Sequence, residues 1–163
     1  MKTRLANKKD LPALKTMFLG IVKKMHSENV FIWNEYYPYE EFDNDIKKKQ
    51  LYVVTTSGDI VAAFALVPSY QKDTSEELIY LNRLGVNATM QKSGYGKLAI
   101  NEAKRIAKSL GYNELRLMVV NTNLPAIAFY EKLGFIRVGD EITEFIPETN
   151  STLTEYCYKI ELV

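Results

Sequence analysis

Cysteine, histidine and long apolar runs are scarce in this chain of 163 residues, and each scarcity excludes something. The sequence contains one cysteine and one histidine. An internal disulfide is therefore excluded, and a zinc or haem site would lack ligands, so we predict no bound metal. No stretch approaches the roughly 18 consecutive apolar residues that a membrane-spanning helix needs. We therefore expect no membrane segment.

Charge of one sign is not in excess either. Twenty-one lysines and arginines face twenty aspartates and glutamates, for a formal net charge of +1. Bulk electrostatics thus favour neither nucleic acid nor an anionic membrane as a partner. The first ten residues lack the apolar core of a secretory signal, which favours a cytoplasmic protein. Cys157 lies in an apolar run and is predicted to be a buried strand thiol.

The chain has the length and composition of one globular domain, residues 1–163, with 47% apolar and 25% charged residues. Apolar periodicity and turn signals predict the order β-α-α-β-β-β-α-β-α-β-β. The second helix is predicted over 39–50, and the last two strands over 135–138 and 155–162. Asp10 is predicted to cap the first helix.

The central feature is a strand, a glycine-bearing turn and a long helix between Leu78 and Gly111. Gly94 and Gly96 lie in the turn, where glycine permits positive φ and close approach of the backbone to a ligand. The first turn of the helix has amides without intrahelical partners. The segment therefore predicts a phosphate or pyrophosphate site, although a glycine pair alone is equally typical of a tight connection. The strand after the helix, 115–120, should pair with the central strand in parallel.

Two motifs, in this order, resemble the GCN5-related N-acetyltransferase (GNAT) superfamily. The first is Gln91-x-x-Gly94-x-Gly96, which follows Val86 at the usual distance. The second is the run NLPAIAFYEKLGF from Asn123 to Phe135, which is far more specific. The resemblance covers nearly the whole chain.

The sequence departs from the family at two positions, Ala88 where proline is common and Lys92 where glycine is common. Neither should abolish the site, since the first is a turn preference and the second need only supply its N–H. The fold that the resemblance implies is α/β (α+β by some schemes). It has a mixed, mostly antiparallel sheet with a central splayed parallel strand pair, flanked by helices.

The resemblance implies an acetyl-CoA-dependent N-acetyltransferase that acts on a primary amine of a small molecule or peptide by direct attack. Tyr130 is implied as the general acid that protonates the departing thiolate. A non-catalytic module that senses acetyl-CoA or coenzyme A is the alternative. A dinucleotide-binding Rossmann domain does not fit, because its glycine turn follows the first strand. The amine and the oligomeric state, for which the family suggests a homodimer, are not determined by the sequence.

The residues implied in coenzyme binding come from three segments. Amides of the glycine turn would hold the pyrophosphate, the central strand would pair with the pantetheine arm, and a backbone N–H near Leu84 could polarise the thioester carbonyl. The complete set is Leu84, Gly85, Val86, Gln91, Lys92, Ser93, Gly94, Tyr95, Gly96, Lys97, Asn123 and Tyr130.

The general base and the acceptor site are less well defined. A water chain, Glu35 and Glu77 are alternative bases. Acceptor choice is expected to depend on three segments, 30–38, 69–77 and 139–152. The aromatic residues of the first segment either form a wall for an amine or pack the loop onto the sheet; they are Trp33, Tyr36 and Tyr37.

Overall fold

The computed structural model describes residues 1–68, 77–147 and 150–163. Within them the predicted order of strands and α-helices is confirmed. The strands are β1 (Lys2–Leu5), β2 (Leu51–Thr56), β3 (Asp59–Val67), β4 (Leu78–Val86), β5 (Glu114–Val120), β6 (Ile136–Ile146) and β7 (Ser151–Glu161). The helices are α1 (Leu11–Ser27), α2 (Phe42–Lys47), α3 (Tyr95–Ser109) and α4 (Leu124–Lys132).

One sheet collects the strands in the order β1-β2-β3-β4-β5-β7-β6, and only β4 and β5 are parallel neighbours. That pair is short, because Leu78–Tyr80 pairs with Glu114–Arg116 and the register ends there. Both strands continue, β4 to Val86 and β5 to Val120. They therefore separate after Tyr80, and the predicted mixed sheet with a central splayed pair is confirmed.

A β-bulge interrupts β4 shortly before its end. Asn82 pairs with Ala65 and Gly85 with Ala63, so two residues of β4 stand opposite one residue of β3. Arg83, the first of the two, has a φ of +54°. A bulge bends its strand and increases the local twist, which here adds to the separation of β4 from β5.

Helices cover both faces of the sheet. On one face α1 and α2 bury Leu14, Phe18 and Phe42 against β2 and β3. On the other face α3 buries four residues of one stripe, Ala99, Ala103, Ile106 and Ala107. Each helix places one apolar face against the sheet, as amphipathic periodicity requires.

Three predicted elements have different lengths in the structure. The second helix is shorter than predicted, since Tyr39–Glu41 is a 3-10 turn and α2 ends at Lys47. The last strands are longer, so most of segment 139–152 belongs to the β6–β7 hairpin rather than to an acceptor loop. Most side chains of β6 are exposed on both faces, which leaves little apolar alternation in the sequence to reveal the strand. Of the predicted acceptor segment 69–77, residues 69–76 lie outside the described residues.

Asp10 occupies the N-cap position of α1, as predicted, but its side chain makes no capping hydrogen bond there. Its carboxylate accepts the N–H of Asn7 at 2.8 Å and two hydrogen bonds from Arg4. Asn7 caps the 3-10 turn that precedes the helix. Cys157 is buried in β7, as predicted, with 8% of its surface exposed.

Candidate active site

A cavity of about 510 Å³ opens where β4 separates from β5, which is a suitable size for a small-molecule site. One side, which we call the turn wall, consists of the end of β4 and the glycine turn. The facing side, which we call the α1 wall, consists of the end of α1 and the loop after it. The start of α4 closes the cavity. The lining residues of the turn wall are Leu84, Gly85, Val86, Gln91, Lys92, Gly94, Gly96 and Lys97.

The glycine turn presents the beginning of α3 to the cavity. Gly94 is the N-cap residue of α3 and has a φ of +87°, with open space where a Cβ would stand. The N–H of Leu98 donates to the carbonyl of Gly94 at 3.0 Å and starts the helical hydrogen bonds. The three amides before Leu98 therefore have no intrahelical acceptor. Free amides at a helix N-terminus are suited to an anion.

Lys92 adopts the left-handed conformation, with a φ of +68°. This explains why glycine is common here in the family, since a side chain in this conformation costs about 1–2 kcal/mol. Gln91 secures the turn, because its Nε2 donates to the carbonyl of Val86 at 3.2 Å. Lys92 and Lys97 line the cavity together with Lys24 of α1, so three ammonium-bearing side chains surround it.

Two glycines allow elements around the cavity to approach each other closely. A Cβ on Gly85 would lie 2.6 Å from Cζ of Phe18 and 2.9 Å from Cδ1 of Ile21, so α1 can rest on β4 only because this residue is glycine. A Cβ on Gly96 would lie 3.1 Å from Cζ of Phe129. This glycine likewise brings α3 close to α4.

Helix α4 places a tyrosine and an asparagine at the cavity. Tyr130 lines it, and its ring lies 5.8 Å from that of Phe135. Burial raises the pKa of Tyr130 to about 12, so its hydroxyl stays protonated at neutral pH. Asn123 caps α4 by accepting the N–H of Ala126 at 3.4 Å, and it also lines the cavity.

The structure brings ten of the twelve residues implied in coenzyme binding to this cavity and leaves two outside its lining. The N–H of Ser93 donates to the carbonyl of Met90 at 3.3 Å. Tyr95 packs its side chain against the core beneath α3. Of the two, Tyr95 retains a free amide in the first turn of the helix.

Sequence reasoning missed most of the α1 wall. Its lining residues are Ile21, Lys24, Met25, Glu28, Val30 and Trp33. Ile21, Lys24 and Met25 lie in α1 and Glu28 follows its last residue. Only Val30 and Trp33 fall in a predicted acceptor segment, 30–38. Glu28 supplies a carboxylate to the cavity, whereas Glu35 and Glu77 do not line it.

Of the three aromatic residues named in segment 30–38, which we call the aromatic loop, Trp33 lines the cavity, whereas Tyr36 and Tyr37 are not among its lining residues. Trp33 also packs on Phe18, with ring centroids 5.7 Å apart. His26 donates from Nε2 to the carbonyl of Trp33 at 2.9 Å and anchors the loop to α1. Tyr36 is 64% exposed, and Tyr37 contacts Arg83 instead of the cavity.

Comparisons with known proteins agree with this geometry. The model of the acetyltransferase (GNAT) family matches residues 18–135. YwnH of Bacillus subtilis (strain 168), provisionally named a phosphinothricin acetyltransferase, is 28% identical over 146 residues, covering 85% of this chain and 86% of YwnH.

Solved structures share the fold at lower identity. The ribosomal-protein-S18-alanine N-acetyltransferase of Escherichia coli is 20% identical with a TM-score of 0.70, covering 99% of this chain and 93% of that one. The yncA structure of Salmonella typhimurium, with its cofactor acetyl-CoA, is 13% identical with a TM-score of 0.70, covering 99% and 94%.

The chain belongs to the GNAT family of acetyltransferases, because the family model spans most of it. It is therefore an acyltransferase of the kind that uses acetyl-CoA as donor. Among the described residues, no cluster of three or more His, Cys, Asp or Glu side chains could hold a metal ion. No helix in the same residues is long and apolar enough to cross a membrane.

Proposed function

We propose that the protein transfers acetyl from acetyl-CoA to a primary amine of a small molecule or peptide, by direct attack of the amine, with Tyr130 as general acid. One observation carries the proposal. The open end of β4, the N-terminus of α3 and the Tyr130 side chain meet in a single cavity. These are the parts needed to hold an extended acyl thioester, to bind its pyrophosphate and to protonate its sulfur.

The turn wall is suited to the coenzyme. The residues Gln91, Lys92, Gly94, Gly96 and Lys97 line the cavity beside the free amides of α3, and charge-assisted hydrogen bonds of this kind contribute roughly 1.5–3 kcal/mol each. The register of β4 with β5 ends at Tyr80, so the segment 84–86 lacks a paired strand on that side. An extended pantetheine arm could pair with this backbone as an added strand does.

The reaction that we propose needs three contributions from the protein. Acetyl-CoA supplies an acetyl group that is activated as a thioester. A backbone N–H of the bulge, at Leu84, donates to the thioester carbonyl as negative charge develops on its oxygen. The amine nitrogen bonds to the carbonyl carbon, the carbon–sulfur bond breaks, and the Tyr130 hydroxyl gives its proton to the sulfur. The amine proton leaves to water or to a base and later returns to Tyr130.

The raised pKa of Tyr130 has two consequences for this role. The phenol is always protonated at neutral pH, as a general acid must be. A phenol of pKa about 12 is nevertheless a weak acid towards a thiolate, since an ordinary thiol has a pKa near 8.5. The apolar surroundings that raise the pKa of Tyr130 also disfavour a free thiolate, which restores part of the driving force.

The α1 wall is the proposed acceptor side. Glu28 is exposed at its rim, Lys24 is half-buried, and Met25 and Trp33 provide an apolar surface between them. A carboxylate beside an aromatic ring favours an amine that approaches as a cation. The names of YwnH and of the Escherichia coli enzyme refer to phosphinothricin and to a protein alanine. Both kinds of acceptor, a small molecule and a peptide, are consistent with the open rim.

The test is thiol release from acetyl-CoA with a panel of amines that includes amino acids, polyamines and peptides. We expect release with at least one class, and mass spectrometry should find the acetyl group on nitrogen. A non-catalytic acetyl-CoA sensor is the second candidate, because Glu28 is exposed and no other described carboxylate lines the cavity as a base. Tight coenzyme binding without release for any amine would favour the sensor.

The proposal includes two further expectations. Residues 1–163 form a single domain, which is supported by one sheet that contains both β1 and β7. The protein acts in the cytoplasm, where acetyl-CoA and a reduced Cys157 are both expected.

A further inference from the structure

A buried ion pair joins the bulge of β4 to helix α2. The guanidinium of Arg83 donates from Nε to Oδ2 of Asp45 at 2.8 Å and from Nη2 to Oδ1 at 2.6 Å. Asp45 is 1% exposed. Gln50 adds a hydrogen bond from Nε2 to the same Oδ1 at 2.8 Å. A two-pronged contact of this kind fixes the orientation of both side chains as well as their distance.

The guanidinium of Arg83 remains charged. Burial alone would lower the pKa of Arg83, but the hydrogen bond and charge of Asp45, with a contribution from Tyr37, hold that pKa above its ordinary value. Tyr37 belongs to the aromatic loop, so Arg83 is held by contacts from α2 and from that loop. The backbone of Gln50 extends the connection, since its carbonyl accepts the N–H of Leu66 in β3 at 2.8 Å.

The backbone at Arg83 is in a conformation that needs such support. Its φ of +54° is left-handed, and arginine has no intrinsic preference for that region. Conformations of this kind persist only where the surrounding contacts enforce them. The next residue, Leu84, lines the cavity. Arg83 and Leu84 are the two bulge residues, which lie between the paired residues Asn82 and Gly85.

We propose that the Arg83–Asp45 pair is a positioning device for acetyl transfer, which holds the bulge so that the N–H of Leu84 faces the thioester carbonyl. Arg83 acts through Leu84 and is not itself a catalytic residue. The inference rests on the proposed function, which gives the Leu84 amide its role. A purely stabilising role would not require an ion pair, because apolar side chains of similar size often stabilise a buried site equally well.

The test uses the double variant Arg83→Met with Asp45→Leu, which removes both charges and leaves neither one buried alone. We expect kcat to fall about 30- to 100-fold, as for other small misplacements of reacting groups. The KM for acetyl-CoA should remain nearly unchanged. The matched control is Arg4→Met with Asp10→Leu, because that pair is also two-pronged, at 2.8 and 2.9 Å, and does not line the cavity. Its kcat should equal that of the wild type.

A second measurement does not depend on turnover. The infrared stretch of a ¹³C-labelled thioester carbonyl in bound acetyl-CoA reports the hydrogen bond that its oxygen accepts. We expect a lower frequency than in free acetyl-CoA for the wild type, and loss of that shift in the double variant. Arg83→Lys keeps the charge without the two-pronged contact and should give an intermediate frequency. If the double variant does not fold, this variant decides the question.

The outcomes separate the two proposals. A wild type that shifts the carbonyl frequency yet releases no thiol with any amine contradicts the proposed function, and loss of the shift in the variants would still support the positioning role. A folded double variant, or Arg83→Lys, with unchanged kcat and an unchanged carbonyl frequency overturns the positioning role.

Discussion

The turn wall and the α1 wall face each other across one cavity, but the first is largely backbone and the second is made of side chains. The turn wall consists largely of backbone, with Gly94 at a φ of +87° and free amides at the start of α3. The α1 wall consists of side chains, with Lys24 and Met25 in the last turn of α1 and Glu28 directly after its end. A backbone surface tolerates few changes, because its shape depends on φ and on missing Cβ atoms. A side-chain surface can vary without disturbing the fold, which suits the proposed acceptor side.

The largest effect is expected from Gly94→Glu, which should abolish coenzyme binding. The change places a side chain at positive φ and a carboxylate beside the proposed pyrophosphate position. Loss of two charge-assisted hydrogen bonds would weaken binding by at least about 100-fold, measured by calorimetry with coenzyme A. Gly111→Glu is the control, because Gly111 has a φ of +95°, has open space around its Cβ position and lies away from the cavity. Equal loss of affinity in both variants would contradict a role of the turn wall in coenzyme binding.

Tyr130→Phe should lower kcat about 100-fold while the affinity for acetyl-CoA stays nearly constant. The general acid is active while protonated, and its pKa is raised from the ordinary 10 to about 12. Deprotonation of Tyr130 should therefore cause no fall in turnover between pH 7 and about 10. Tyr112→Phe is the control, because this tyrosine packs against the same core and does not line the cavity. Unchanged kcat in Tyr130→Phe would exclude the acid role.

Gly85→Ala tests the contact that connects the two walls. The added methyl would overlap the ring of Phe18, so the free energy of unfolding should fall by about 1–3 kcal/mol in urea titrations. Phe18→Leu in the same chain should restore part of the loss. Gly20→Ala in α1 is the control, since nothing lies within 4 Å of its Cβ position and the change should be stabilising. Equal stability of the two alanine variants would contradict the close contact.

Glu28→Gln tests whether the α1 wall contacts the amine rather than acetyl-CoA. Because Glu28 is exposed, we expect the KM for a cationic amine to rise only about threefold to fivefold, while the KM for acetyl-CoA is unchanged. Increasing salt should reduce the difference. Glu35→Gln is the control, since that residue does not line the cavity. A larger effect on acetyl-CoA than on the amine would assign Glu28 to the donor.

The smallest effects are expected from Lys92→Gly, and they act in opposite directions. Relief of the left-handed backbone should stabilise the fold by about 1 kcal/mol or less, after the entropy of glycine is subtracted. Loss of the ammonium should weaken coenzyme binding about twofold to threefold. Lys49→Gly has the same backbone change at a φ of +54° away from the cavity. It should stabilise the fold without affecting the coenzyme.

The turn wall could be predicted because its signals are local in sequence. Glycines at fixed spacing determine the backbone over this short segment. The α1 wall depends on packing between distant segments, through the contact of Phe18 with Gly85. The bulge at Arg83 gave no signal either, because its left-handed residue is not glycine and its partner Asp45 lies 38 positions away.

The early end of the β4–β5 register also has a thermodynamic consequence. The backbone edge of β4 beyond Tyr80 lies inside the sheet, where an unpaired edge gains most from an added strand. A ligand that pairs there binds the folded state alone and shifts the folding equilibrium by mass action. At a free concentration about 100 times its Kd, the shift is about 2.7 kcal/mol. We therefore expect the melting temperature to rise with the coenzyme concentration. The folded fraction of this protein should then be larger in a cell rich in acetyl-CoA than in a depleted one.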